Sequence, residues 1–237
     1  MKFIIAEEIF KKFPHLNAGV VVSKGIDNRG TNQDVLDMIR VAEGEMRAKF
    51  GAQPVSTHPK IEVWRKTYSS FGVNPKEHLS SVENLYRLVL KGVSIRHINN
   101  LVDIYNLISL KHMVPLGGED LDKIKGDIKL TTAGPNEPSV LLLGDKEARP
   151  PHENEIIYKD DISAICRRLN WREADRTKFT EETTNAVLVA EGLAPVKSDE
   201  IQKIVNELVG YVNNFCGGES VFYILNSKNS QVEFEVN

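Results

Sequence analysis

The stretch NNLVDIYNLISLKHMV (residues 99–114), followed at once by Pro115-Leu116-Gly117-Gly118, decides how the chain is read. Leu101, Val102, Ile104, Tyr105, Leu107, Ile108 and Leu110 make it apolar almost all round, and a helix of that kind belongs in an interior. Beyond the Pro-Gly break the pattern changes to short runs at 128–131, 140–143, 155–158, 163–170 and 186–190, which read as strands between Gly and Pro turns. A buried helix that divides helical from stranded sequence predicts a mixed α/β fold.

Upstream, residues 3–5 and 19–22 read as strands. Thr31, with Asp34 three residues on, reads as the N-cap of a helix carrying Val35, Met38, Ile39, Ala42 and Met46. Pro59 opens a second helix whose apolar face holds Ile61, Trp64 and Tyr68. Ser80 with Glu83 forms a capping box for a third, which Gly92 stops. Downstream, Ser198 caps an amphipathic helix running to Gly217, and 221–225 with 232–236 reads as a closing hairpin. There is no internal repeat and no linker, so a single domain over 1–237 is expected.

Composition narrows the function classes. With 41% hydrophobic and 27% charged residues, the chain has enough apolar surface to offset the entropy of ordering. No apolar run reaches the length of a membrane span, and the first residues lack a secretion pattern, so a soluble cytoplasmic protein is expected. A net charge of −3 argues against a dedicated nucleic-acid binder; any RNA contact would be local and weak or transient. Gly25 to Gly30 has phosphate-loop spacing, but Thr31-Asn32 replaces the required Lys-Ser/Thr pair. There is no Gly-x-Ser-x-Gly elbow, and the six histidines show no metal-ligand spacing, so neither a metal nor a cofactor is expected. Cys166 lies inside an apolar run, where a packing role outweighs a nucleophilic one.

Two polar features remain. Asp103, Asn106 and Ser109 recur every three residues on the apolar helix. They face either a ligand cavity or a polar network that ties down a loop. In a strand through 163–170, Cys166, Arg168, Asn170 and Arg172 would share one face. Two guanidiniums beside an asparagine suit an anionic or carbonyl ligand; they equally suit an exposed face paired to Glu155, Asp160 and Asp161. A third cluster, Trp64-Arg65 with Tyr68, reads by itself as core edge.

Taken in order, these segments resemble the editing domain of the phenylalanyl-tRNA synthetase β subunit. Leu101 to Asn106, Ser109-Leu110, Pro115 with Gly117, Asp120 to Ile124, Gly126, Asp160 or Asp161 before an apolar strand, and Thr183 with Asn185 before another carry the likeness, with Ser81, Glu83 and Arg87 upstream. Trp64-Arg65, Tyr68, Phe71-Gly72, and Cys166 to Arg168 with Asn170 and Arg172 are similar to the freestanding relatives of that domain. The likeness covers roughly residues 60–193.

The resemblance implies an α+β type fold: mixed β-sheets in two layers, helices packed on one side, and an enclosed pocket. It implies hydrolysis of the ester that joins a wrong amino acid to tRNA, performed in trans, with no aminoacylation. The partner would be the aminoacylated 3′ end of tRNA, with no membrane and no DNA; the alternative is a binding module for an amino acid or that tRNA end, without catalysis. In this scheme Asn106 orients the attacking water, and Arg168, Asn170 and Arg172 meet the carbonyl or the terminal ribose and phosphate. Asp103 holds the substrate ammonium, and Trp64, Arg65, Tyr68, Ser109 and Gly117 complete the binding set. The chain departs from the synthetase pattern in three places. Gly117 stands for a pocket histidine, Asn170-Trp171-Arg172 for a glycine-rich stretch, and an apolar residue near Val189 lies opposite a pocket glutamate. Tyrosine should therefore not be recognised in the synthetase's way.

Overall fold

The computed structural model, which describes residues 1–51 and 53–236, folds them into two sheets and six α-helices. One sheet is built from β1 (Lys2–Ile5), β4 (Ile128–Thr132), β5 (Ile156–Lys159), β6 (Ala164–Arg167), β7 (Arg172–Glu173) and β10 (Gln231–Glu233). Their spatial order is β10-β1-β4-β5-β6-β7, with only the β1–β4 pair parallel. The other sheet is antiparallel, in the order β3 (Leu116–Asp120), β8 (Asn185–Gly192), β2 (Asn17–Lys24), β9 (Glu219–Leu225).

The helices are α1 (Glu7–Lys12), α2 (Gln33–Phe50), α3 (Pro59–Ser70), α4 (Ser81–Leu90), α5 (Asn100–His112) and α6 (Ser198–Phe215). Ile201, Ile204, Val205, Leu208 and Val212 bury one face of α6 against the four-stranded sheet. The approach there is close: a Cβ on Gly19 would lie 2.3 Å from a Val205 methyl. Helix α5 is the axial element, packed between α2, α6, α4 and β3. Leu101, Ile104, Leu107 and Ile108 are almost wholly buried, each contributing about 1.5–3 kcal/mol relative to exposure. Loops satisfy its first N–H groups: Leu101 donates to Asn28 Oδ1 (2.8 Å) and Val102 to Asn99 Oδ1 (3.1 Å). Ser109 Oγ then donates to the Val114 carbonyl just past the end, where Met113 turns left-handed.

Several expectations need correction. The helix after residue 31 is capped by Asn32, whose side chain accepts from Val35 N; for α6 the N-cap is Lys197, and Ser198 is the first helical residue. The capping box at Ser80 is half formed, because Glu83 turns its carboxylate to Arg65 and Arg87 instead. The expected closing hairpin is absent: β9 joins β2 while β10 crosses to β1 in the other sheet. An isolated two-stranded ribbon is marginal in water, and each strand gains more at the edge of a larger sheet. Residues 140–143 form only single bridges, Val140 to Arg149 and Leu142 to Ala174, around a small second apolar cluster. Strand β3 and the short helix α1 occupy segments where only a Pro-Gly break and no element had been expected.

Candidate active site

A cavity of about 260 Å³ lies between the two sheets and is closed on one side by α4 and α5. Phe3, Ile128, Tyr158 and Ile165 wall it from the six-stranded sheet; Val187, Val189 and Glu191 wall it from β8. The period-two geometry of a strand puts those three β8 residues on one face. Their neighbours on β3, Gly117 paired to Val189 and Glu119 paired to Val187, continue that face. Asn106 and Ser109 enter from α5, and Asn170, Trp171, Arg172 and Glu173 from the end of β6 onward.

Of the residues singled out in the sequence, Asn106, Ser109, Gly117, Asn170 and Arg172 line this cavity. Tyr68 is buried behind it and reaches it through a bond from its hydroxyl to Asn170 Oδ1 (2.9 Å). Trp64, Arg65, Asp103 and Arg168 are not among its walls. Trp64 is core. Arg65 clamps α3 to α4 by donating to Glu83 Oε1 (2.7 Å) and the Pro75 carbonyl. Asp103 takes the loop-tying role: its carboxylate pairs with His97 Nδ1 (2.5 Å) and accepts from Ile98 N. Three-residue spacing on a helix turns about 60° per step away from a fixed direction. Asn106 and Ser109 therefore share the cavity while Asp103 does not.

The strand expected through Asn170 ends at Arg167, because Arg168 and Leu169 have φ of 51° and 64°. This left-handed turn breaks the alternation, so Arg168 and Asn170 no longer share a strand face. Arg168 instead lies over the Trp171 ring, 4.3 Å from its centroid, with His78 Nδ1 3.3 Å away. Arg172 also lies over Trp171 and pairs with Asp145 (2.7 Å) at the half-exposed rim. The turn is held from below by Glu155. It accepts a two-pronged pair from the Arg167 guanidinium (2.8 and 2.7 Å) and a further bond from Arg168 N. From outside, Ser81 N at the start of α4 donates to the Asn170 carbonyl (2.9 Å).

The polar side of the cavity is dominated by three glutamates that sequence reading did not select. Glu191 Oε1 accepts from the Tyr158 hydroxyl and Oε2 from Asn170 Nδ2, both at 2.6 Å, which links Tyr68, Asn170, Glu191 and Tyr158 in one chain. Burial raises the Glu191 carboxyl above its ordinary value, and those two bonds oppose the rise. Glu173 Oε1 accepts from Gly118 N (3.2 Å), and burial pushes its carboxyl up to about 7. Glu119 is held well above the usual range by burial first and then by the neighbouring charge of Glu173. Gly117 makes this arrangement possible, since a Cβ there would sit 2.6 Å from Glu173 Oε1. Cys166 also faces the cavity. Burial, then Glu173, drives its thiol well up, away from nucleophilic use.

The signals for these residues were faint. Glu191 falls just past the end of the run at 186–190, and Glu119 sits in a strand disguised by two glycines. Among the described residues no cluster of His, Cys, Asp and Glu is placed to hold a metal ion, and no helix is long and apolar enough to cross a membrane.

The match to known families falls on this same region. The model of the B3/4 domain matches residues 63–217, more than half of the chain. The chain belongs to the B3/4 domain family. Similar curated proteins include the phenylalanine–tRNA ligase β subunits of Fusobacterium nucleatum subsp. nucleatum, 33% identical over 119 residues, and of Psychrobacter arcticus, 29% identical over 131 residues. The matched stretches cover 50% and 52% of this chain but only 14% and 16% of those subunits. An N-terminal fragment of the phenylalanyl-tRNA synthetase β subunit from Pyrococcus horikoshii is a structural neighbour, with a TM-score of 0.48 and 13% identity. The alignment covers 92% of this chain and 49% of that one. Every cavity-lining residue of this B3/4 domain except Phe3 lies within the matched range.

Proposed function

We propose that this B3/4 domain hydrolyses, in trans, the ester joining a mismatched amino acid to the 3′ end of a tRNA. The observation that carries this reading is the small cavity with the Tyr68–Asn170–Glu191–Tyr158 chain and, on one wall, Glu173, whose carboxyl burial raises to about 7. At about 260 Å³ the cavity is below the ~300–1,000 Å³ of drug-sized sites, which suits one amino-acid residue and leaves the nucleotide outside. Asn170 Nδ2 spends one proton on Glu191 and keeps the other for a substrate carbonyl. Arg172 and Trp171 at the rim suit the terminal ribose and phosphate.

Asn106 orients a water, and Glu173 takes its proton as the water oxygen bonds to the ester carbon. The resulting oxyanion is met by Asn170. The tetrahedral species then breaks its bond to the ribose oxygen, which receives the proton, leaving a free amino acid and an uncharged tRNA. An aminoacyl ester is already activated, so positioned water and donors suffice without a protein nucleophile.

The runner-up is a B3/4 domain that binds the amino acid or tRNA end and does not cleave it. The engagement of Asn170 on both sides, by Tyr68 and Glu191, favours that reading. Deacylation of a panel of correctly and incorrectly charged tRNAs separates the two. Hydrolysis of one class, reduced at least tenfold in a folded Asn170→Ala variant, is the expected result. If no charged tRNA is hydrolysed faster than in buffer, the deacylase reading is wrong.

A further inference from the structure

With the amino acid in the cavity, the nucleotide that carries it stays outside, and the RNA strand behind that nucleotide must cross the surface beside the mouth. Of the described residues that line the cavity only Asn84 is exposed, so the mouth opens beside α4. From Asn84 the outward face of that helix continues through the half-exposed Arg87 and the exposed Leu88 to the exposed Lys91 at its C-cap. These are the i, i+3, i+4 and i+7 positions of one helical stripe.

The stripe is cationic although the whole chain carries −3. Between Glu77 and Asp122 the sequence holds four acids, Glu83, Asp103, Glu119 and Asp120, and every one is buried, at 6% exposure or less. Glu83 lies beneath the stripe and fixes it. Arg87 donates to its Oε1 through Nε (2.9 Å), and Arg65 reaches the same oxygen from α3 (2.7 Å). Arg47 crosses from α2 to the Val89 carbonyl of α4 (3.4 Å), with Glu43 3.7 Å away. Glu43, also buried, pairs with Arg40 as well (2.6 Å). Two buried carboxylates thus stand against four guanidiniums, and Lys91 adds to the excess. The rim on the β7 side has no such bias: Asp145, paired with Arg172, is followed by the exposed Glu147 and Glu153 against Lys146 and Arg149.

Resting on the reading that a tRNA 3′ end occupies the mouth, we propose that this face of α4, with Arg47, is the track for the RNA strand leading out of the cavity. Phosphates of that strand meet Arg87, Lys91 and Arg47, which position it without reading its sequence. Leu88, 40% exposed between Arg87 and Lys91, offers an apolar surface to a ribose. Arg87 and Lys91 lie about 6 Å apart along the helix axis, and the strand runs from Asn84 past both. Three cations give weak, salt-sensitive binding, as a transient partner requires.

The first measurement is fluorescence anisotropy of a labelled RNA hairpin with an unpaired 3′ tail, titrated with the full chain at ~50 mM salt. Lys91→Glu, at an exposed position where folding is not at stake, is expected to weaken binding roughly tenfold and to flatten its salt dependence. Lys203→Glu, the same charge change at an exposed site on α6, is expected to leave binding within about twofold. No binding by the wild type, or equal losses in the two variants, overturns the proposal. Labelled poly-L-glutamate bound as tightly as the hairpin also overturns it, by making the face a dock for acidic protein. The second measurement separates the track from the reading beneath it. A raised KM for charged tRNA in Lys91→Glu, with unchanged hydrolysis of the same amino acid's adenosine ester, supports the track. A wild-type KM in that variant sinks the track and leaves the deacylase reading standing. If no ester is cleaved while the hairpin still binds through Lys91, the track stands and only the deacylase reading falls.

Discussion

Glu173 is the residue whose titration should be visible both in activity and in stability. Its carboxyl keeps its proton to about pH 7 in the folded chain, against an ordinary 4.5 when exposed, because burial penalises the charged form. The folded state therefore binds more protons than the unfolded state between those values, and this group's contribution makes stability fall as pH rises through that window. Replacing it by an uncharged isostere removes that loss. Glu173→Gln should match the wild type near pH 4 and exceed it at pH 8 by up to about 3 kcal/mol, read from urea melts at both pH values. The same substitution should abolish the rise of kcat/KM through pH 7 expected of a carboxylate that accepts the water's proton. A variant equally stable at both pH values, with an unchanged pH profile, would remove Glu173 from both roles. Little of this was readable from the sequence. Glu173 stands beside Arg172 in an unremarkable polar run, and its environment comes from Gly117 and Gly118 in a strand far away along the chain.

At the scale of the element, the turn between β6 and β7 aims the site. Two consecutive left-handed residues, Arg168 and Leu169, reverse the chain so that Asn170 meets Tyr68 and Glu191. Such a backbone persists only where its surroundings hold it. Here the buried Arg167–Glu155 pair does so, with Arg168 N and His152 N completing the carboxylate's bonds. Burial opposes ionisation of Glu155, but the hydrogen bonds and charge of Arg167, then Arg168, outweigh it and hold its pKa below the ordinary value. Its stabilisation is thus present above the unfolded-state pKa and is lost as pH falls through the lowered folded value. Arg167→Ala leaves a buried carboxylate unpaired and should cost about 3–5 kcal/mol in denaturant melts at neutral pH. A loss below about 1 kcal/mol would show that the pair behaves as a surface bridge. Sequence periodicity could not reveal this turn. Residues 163–170 open on the apolar run Ala164-Ile165-Cys166 with no Gly or Pro to end it, and nothing local in Arg168 or Leu169 demands a positive φ. The partner that imposes it, Glu155, acts through space.

For the whole molecule, a net charge of −3 bears on how a charged tRNA would be met. With Arg168 and Arg172 both lying on Trp171 at or beside the rim, the cationic surface next to the cavity is small. Binding of tRNA should therefore show a shallow salt dependence, equivalent to about two or three phosphate contacts, and be weak at ~150 mM salt. Filter binding across a salt series checks this, and a slope matching six or more contacts would point to a larger basic surface. The sequence by itself determined the elements whose cause is local. The apolar run at 99–114 forces a buried helix, Pro59 and Ser80 start helices, and short valine-rich apolar runs make β2 and β8. It also placed Asn106, Ser109, Gly117, Asn170 and Arg172 in order along the chain. Only the tertiary structure decided that these five face one cavity while Asp103 and Arg168 face elsewhere, that β9 and β10 go to different sheets, and that Glu119, Glu173 and Glu191 supply its charge. The physical reason is range. Propensity and periodicity act over a turn of helix or a few residues of strand, whereas burial, which raises these carboxyls, is set by residues distant in sequence.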